Sequence, residues 1–421
     1  MRTLAKQILW PVRGVEQSTA YHDATPDSQR TFASPFAMNV CTRGPIESRE
    51  RGGSRPGLAD VPQGAEVRDF HPVYETPSAD VGDAPSSPSV VSKYRDRIFA
   101  AKDADWFCSR VGKYHDWDYG ADYADISRAC AGNIAFAGER GETITAIMPI
   151  DNGMMYVATQ HTMWRLAGDP ANGELQLVSR EYGVVGPNAW CNANRRLLFV
   201  SHRGFVSLTY GEMPTFQSGG LPFFPTDADT ILGFDAKENC CYSFSSHGSY
   251  IVDVGMDTQN PAFWPISLAR PAAVGTCGGA IALKYGTAWK QFSDAVPCEA
   301  ASHVAFGPIR ISASDDTDGL LAELHATFGE LTAAQLAVSG QGAGVGASIF
   351  TANSAERVTK IAQAAIATQG YTPPITFGHE WNCTWRPRKR GAWAVIVLSS
   401  TGKWAFEAMR AVCRQTGRLR P

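Results

Sequence analysis

Apolar and polar positions alternate through the middle of this chain in short runs, each followed by a small polar turn and a second run, which is the pattern of strand, turn, strand. The copies are residues 97–102, 155–166, 198–208 and 241–252, with a weaker fifth at 281–289. Tyr156, Phe199, Tyr242 and Tyr285 hold equivalent places, and each interval between them is 43 residues, while Phe99 to Tyr156 is longer at 57. A period near 43 falls in the range of propeller blades. A hairpin with one apolar face cannot bury it alone, whereas a ring of hairpins can. An irregular β-sandwich with evenly spaced hairpins is the competing reading.

The pattern changes on either side of this repeat. Residues 30–57 are rich in Arg, Gly, Ser and Pro and hold no sustained period, so they read as an extended arm of the kind that lies on a neighbour. A second breaker-rich stretch, 75–88, reads as a surface loop. After about residue 302 a strand is expected at 306–311, a polar turn at 314–319 and a loose or tightly turned glycine-rich stretch at 338–347. Ala355, Val358, Ile361, Ala362, Ala365 and Ile366 then follow helical spacing, with Asn353 or Ser354 as the cap. A strand pair, 393–398 and 404–409, closes the chain, although the last segment also fits a short helix. The expected organisation is an extended N-terminal arm at 1–60, a propeller-like repeat domain at 61–301 and a smaller α+β domain at 302–421, in a mainly β protein.

Composition supports this reading. The 421 residues exceed one ordinary core, and 44% hydrophobic with 19% charged residues describe a folded soluble protein. Forty glycines and 25 prolines favour many short strands separated by turns, and 11 Trp, 13 Tyr and 20 Phe suit pleated surfaces. The net charge of -3 means that any nucleic-acid contact is local. The apolar stretch Ile8-Leu9-Trp10 is too short for a signal peptide, and no run approaches the roughly 18 apolar residues of a membrane span. The ten cysteines contain no Cys-x-x-Cys pair, so zinc and redox spacings are absent and free buried thiols are expected. Disulfides formed after lysis remain the alternative.

Motifs that suggest chemistry do not hold together. Gly340, Gly342, Gly344 and Gly346 lack the βαβ context and following acid of a dinucleotide loop. Gly275-Thr276-Cys277-Gly278-Gly279 matches a nucleophile elbow in outline, but no helix follows, so a blade-connecting turn is expected. His379-Glu380 has no second histidine, and Asp315, Asp316 and Asp318, even with Glu323, fall short of a calcium loop. Asn382-Cys383-Thr384 has the form of a glycosylation acceptor, which has no meaning without export. No catalytic, cofactor or metal residues are therefore assigned. Two basic clusters remain: Arg43, Arg49, Arg51 and Arg55 in the arm, and Arg386, Arg388, Lys389 and Arg390 before the final strands. They are the candidate inter-subunit or DNA-channel contacts, with the arm better suited to a neighbouring subunit.

Several segments, in order, resemble the packaged-DNA stabilisation or tail nozzle proteins of short-tailed bacteriophages. They are Asn39-Val40 with Arg43-Gly44-Pro45-Ile46-Glu47-Ser48-Arg49 and Arg55-Pro56-Gly57; Tyr94-Arg95-Asp96-Arg97-Ile98-Phe99 with Trp106-Phe107-Cys108-Ser109-Arg110 and His115-Asp116-Trp117-Asp118. Further along come 162–170, 183–187, Arg390-Gly391-Ala392-Trp393, Trp404-Ala405-Phe406-Glu407 and Gly417-Arg418. Together they run from about residue 39 to 418. The resemblance implies a virion structural protein with no active site and no cofactor. It implies a propeller-like body in a homohexameric tube beneath the portal and adaptor, in contact with other tail proteins, through which double-stranded DNA passes without sequence recognition. The alternative from the repeat alone is a propeller carbohydrate-binding protein or glycosidase, with Asp235, Asp253 and Asp151 as unselected acid candidates.

Overall fold

The computed structural model describes residues 3–17, 33–43, 51–67, 81–120, 122–135, 141–255, 261–296, 298, 300–312, 317–329, 344–368, 371–377 and 383–419. Side chains are described to residue 415. The repeat forms five antiparallel sheets of four strands, the blades of a β-propeller. The first four blades begin at Val90–Tyr94, Ala146–Asp151, Trp190–Ala193 and Ile231–Asp235, and each continues through the next strands of the chain, the first blade's last strand being Cys130–Asn133. The fifth holds Ala273–Cys277, Ala280–Tyr285 and Ala288–Ser293, and takes its outer strand, Gly57–Asp60, from the N-terminal region.

Five innermost strands converge on one axis. Val90, Val91, Ile147, Trp190, Ile231, Leu232, Ala273 and Val274 share the wall of a single cavity of about 280 Å³ there. Type I′ geometry recurs between the first and second strands: Arg95-Asp96, Asn194-Arg195 and Gly278-Gly279 all have positive φ at both central residues. The stretch 275–279, expected as a blade-connecting turn, is instead a hairpin tip within the fifth blade, with Cys277 opposite Ala280.

The aromatic anchors Phe99, Tyr156, Phe199, Tyr242 and Tyr285 all lie on second strands of blades, and the first four are buried. Their one long interval has a local cause. In the first blade, residues 109–129 separate Asp105–Cys108 from Cys130–Asn133. Arg97, fully buried, ties this connection down by donating to the carbonyls of Ser109, Ile126 and Arg128. It also reaches Asp169 of the second blade at 3.3 Å.

Beyond the propeller, and apart from two short ladders of two-residue strands, Val40–Cys41 with Gly53–Ser54 and Val81–Gly82 with Asp116–Trp117, lie two five-stranded sheets. One is ordered Ala37–Met38, Ser302–Arg310, Trp393–Ser400, Val345–Ala352, Ile375–Phe377. The helix Ala355–Ala367 covers it, seating Ala355, Val358 and Ala362 against Ala305, Val395 and Val397. Ser354 is the cap; its hydroxyl accepts from the Arg357 amide. The other sheet is ordered Thr3–Ile8, Phe406–Leu419, Thr317–Phe328, Cys383–Trp385, with Lys389–Gly391 on the same edge as the last. Phe306, Leu324, Phe328, Ile396, Leu398, Trp404 and Phe406 form one core that runs on into Tyr242, Phe244 and Trp264 of the fourth blade.

Three expectations are corrected. The N-terminal segment is not a free arm where it is described: Thr3–Ile8, Ala37–Met38 and Gly57–Asp60 pair with the final strand, with Ser302–Arg310 and with the fifth blade. The pairings of Ala37–Met38 and Gly57–Asp60 are too short to imprint a period, and glycine permits the close approaches. A Cβ on Gly52, at φ +85°, would lie 1.9 Å from the Trp10 ring. The closing strands are not partners of each other, since Trp393–Ser400 and Phe406–Leu419 belong to different sheets and the intervening turn carries the chain across the core. Residues 345–347, expected in a loose stretch, begin a buried strand; 338–343 lie outside the described residues. No helix among the described residues is long and apolar enough to cross a membrane.

Candidate polyanion-binding face

Strand Thr317–Phe328 is the spine of the site. Alternation, shifted by one residue at a bulge between Leu321 and Glu323, turns Leu321, Leu324, Ala326 and Phe328 inward and leaves Leu320, Glu323, His325 and Thr327 on the outer face. One edge carries two short strands in succession, with Cys383 opposite Ala326 and Arg390 opposite Leu320. Between them residues 386–388 leave the ladder, and Arg388 takes a positive φ of 49°. On the other edge, Arg414 lies opposite Leu320 and Arg410 opposite His325. The row Arg390, Leu320, Arg414 therefore crosses three strands on one face.

Arg386, Arg388, Arg390 and Arg414 wall a cleft of about 430 Å³ whose remaining lining is Leu320, Ala322 and Glu323. Glu323 is the single carboxylate among the described lining residues, held by Arg386 at 3.4 Å and by His325 at 3.3 Å. Four guanidiniums facing one paired carboxylate give the cleft an excess of positive charge. Each guanidinium offers a planar donor fork suited to phosphate or carboxylate oxygens. Arg390 and Arg414 stand on hydrogen-bonded strands of one sheet, while Arg386 and Arg388 come from the segment that connects two of its edge strands.

The structure separates the two basic clusters of the sequence. Arg386, Arg388, Lys389 and Arg390 are all exposed around the cleft, although Lys389 pairs in register with inward-facing Leu321 rather than lining it. Among the described residues of the first cluster, Arg43 and Arg51 are tied to carboxylates within the chain and only Arg55 is buried. Arg43 bonds Glu238 of the fourth blade at 2.5 Å, Arg51 pairs with Glu407, and Arg49 lies outside the described residues. Arg55 is 1% exposed, with its Nε donating to Asn39 Oδ1 at 3.2 Å and Nη1 to the Pro56 carbonyl at 2.9 Å. As a contact for DNA or a neighbouring subunit, Arg55 is corrected: its guanidinium is consumed within the chain. Arg414 and Arg410 were missed because they are distant in sequence. The signal was present in the alternation of Met409, Ala411 and Cys413 with Arg410, Val412 and Arg414, which marks a strand with one basic face.

The other candidate residues have structural roles. Asp235 accepts from the amides of Lys237, Glu238 and Ile281, Asp151 from Gly153 and Met154, and Asp253 from Gly255. Asp151 also pairs with Arg195. All three sit at blade turns, while the axial cavity is lined chiefly by apolar side chains. Asp315, Asp316, His379, Glu380 and Asn382 lie outside the described residues. A second cavity, about 370 Å³, lies in the seam between the fourth and fifth blades, where Arg43 and Glu238 meet Asp253, Asp294 and the aromatic rings of Tyr242, Trp264 and Phe292. Burial pushes the Asp294 carboxyl above its ordinary range there. No group of three or more His, Cys, Asp or Glu among the described residues is placed to hold a metal ion.

No family model matches this chain, and no curated protein does. Among solved structures, the β-propeller domain of Myceliophteria thermophila Cps50 (Swd1) aligns at TM-score 0.31 and 10% identity, over 55% of this chain and 70% of its own. YCF48 bound to D1 peptide aligns at TM-score 0.25 and 10% identity, over 59% and 94%. An extracellular domain from B. thetaiotaomicron, described as part of a hybrid two-component system, aligns at TM-score 0.31 and 13% identity over 59% of this chain, which spans about a third (32%) of it.

Proposed function

We propose that this chain is a non-enzymatic structural protein of a phage particle, a nozzle or connector of the tail. In this reading, copies form a sixfold ring below the portal and adaptor, and the basic face touches the phosphates of passing duplex DNA. The observation that carries the reading is the gathering of Arg386, Arg388, Arg390 and Arg414 around one cleft, two of them on the outer face of a sheet and two on the segment along its edge. Such a face binds backbone charge without reading bases. The ordered segments that resemble nozzle proteins supply the setting, and the propeller fold agrees with what that resemblance implies.

Replacing all four arginines by glutamine is expected to weaken duplex DNA binding at low salt at least about tenfold. The slope of log affinity against log salt should shrink by up to about 3.6, near 0.9 for each of four lost phosphate contacts. Melting temperature should move little, because exposed charges contribute only about 0.2–1 kcal/mol each. An unchanged salt slope would remove the cleft from the proposal. The setting is tested by peptide mass spectrometry of purified particles. A copy number in fixed proportion to the portal protein is expected for a ring in the tail, and absence from particles would sink the virion reading.

A further inference from the structure

Cys108 ends the third strand of the first blade and Cys130 begins the fourth, and the two are direct partners across the antiparallel ladder. Their sulfurs are 3.0 Å apart. Directly opposed residues in such a ladder have Cα atoms about 4.5–5.5 Å apart, within the span that a disulfide bridges. The two thiols differ in access: Cys108 is buried and Cys130 half-buried. Behind them lies the buried Arg97 guanidinium, whose Nη1 is 4.0 Å from the Cys108 sulfur. A second close pair, Cys191 and Cys241 of the third and fourth blades, has its sulfurs 3.6 Å apart and provides an internal comparison.

We propose that Cys108 and Cys130 form a redox-responsive dithiol that closes to a cross-strand disulfide by exchange with a small-molecule disulfide such as oxidised glutathione. Cys130 is the first nucleophile. Its thiolate attacks one glutathione sulfur, the glutathione S–S bond breaks, and one glutathione leaves as thiolate. Cys108 then gives up its proton to that thiolate and attacks the Cys130 sulfur, expelling the second glutathione, which takes a proton from solvent. The protein dithiol is oxidised by two electrons and one oxidised glutathione becomes two reduced ones.

The environment supports this order of events. A hydrogen bond from Cys108, reinforced by the Arg97 charge, lowers the Cys130 pKa. Cys108 is raised by its role in that hydrogen bond and by burial, so it serves as the resolving thiol. In the comparison pair, burial raises Cys241 well above its ordinary range, and no cation appears among the causes. Closure of the Cys108–Cys130 bond ties off the connection 109–129, which presents Tyr123 (83% exposed) and Ile126 (60% exposed) to solvent. Oxidation would thereby fix the base of that loop without altering blade pairing.

The test uses the folded full-length chain, incubated with oxidised glutathione near neutral pH, quenched by alkylation and mapped without reduction. The expected result is a linked Cys108–Cys130 peptide appearing before any Cys191–Cys241 link, with loss of two of the ten thiols. Dithiothreitol should restore both. In Cys108→Ser, Cys130 should accumulate as its glutathione adduct; in Cys130→Ser, Cys108 should stay unmodified. The proposal is overturned if the link forms only after denaturation. It is equally overturned if the half-buried Cys41 or Cys277 is glutathionylated while the Cys108–Cys130 pair stays reduced.

Discussion

Removal of residues 51–60 is expected to abolish cooperative folding of the whole chain. This segment supplies the outer strand of the fifth blade, with Gly57, Leu58, Ala59 and Asp60 paired to Ser293, Phe292, Gln291 and Lys290. It also places Arg55 in the seam, exchanges hydrogen bonds between Ser54 and Trp404, and lets Gly52 pass against the Trp10 ring. Deletion opens the ring and strips contacts from both further sheets at once. Domains have only about 5–15 kcal/mol of net stability, so losses at several buried points exceed what is available. The check is thermal or urea unfolding followed by near-UV circular dichroism. A deletion variant that still melts cooperatively within a few degrees of the intact chain would show that the outer strand is dispensable.

Trp404→Ala is expected to destabilise the fold by about 3–5 kcal/mol. The indole is fully buried, lies 6.0 Å from Trp10 and 6.2 Å from Phe328 between ring centroids, and donates from Nε1 to the Ser302 hydroxyl at 2.8 Å. Truncation removes these contacts and leaves a buried hydroxyl short of a partner. The core that it occupies is shared with the fourth blade through Trp264, so the loss should appear as one lowered transition rather than as separate melting of two parts. Urea titration reads the effect as a lower midpoint at an unchanged slope. A loss below about 1 kcal/mol would mean that the surrounding rings collapse into the space.

What could be read from the sequence follows from how locally each feature is encoded. The blades were legible because each repeats the same alternation within about 43 residues, and the second-strand aromatics keep their register. The helix was legible because its apolar spacing and Ser354 cap lie within one short window. The N-terminal pairings were not, because strands such as Ala37–Met38 are two residues long and find partners at Val304 and His303. The final strands were read as a hairpin from their nearness in sequence, whereas Phe406–Leu419 crosses to the opposite sheet. The candidate site was half visible. Arg386, Arg388 and Arg390 form a run in sequence, but only the register of three strands brings Arg414 beside them.

The pairing of Thr3–Ile8 with residues 409–414 also sets a clock on biosynthesis. The early strand leaves the ribosome some 400 residues before its partner exists, which at about 5–20 residues per second is a wait of roughly 20–80 s. Throughout that interval its hydrogen-bonding edge is open to any passing strand. Lys6 within it is the kind of residue that discourages such encounters. Nascent chains therefore spend most of their synthesis with an unsatisfied edge, and slower translation or crowded polysomes should lower the yield of native protein even though the finished fold is unchanged.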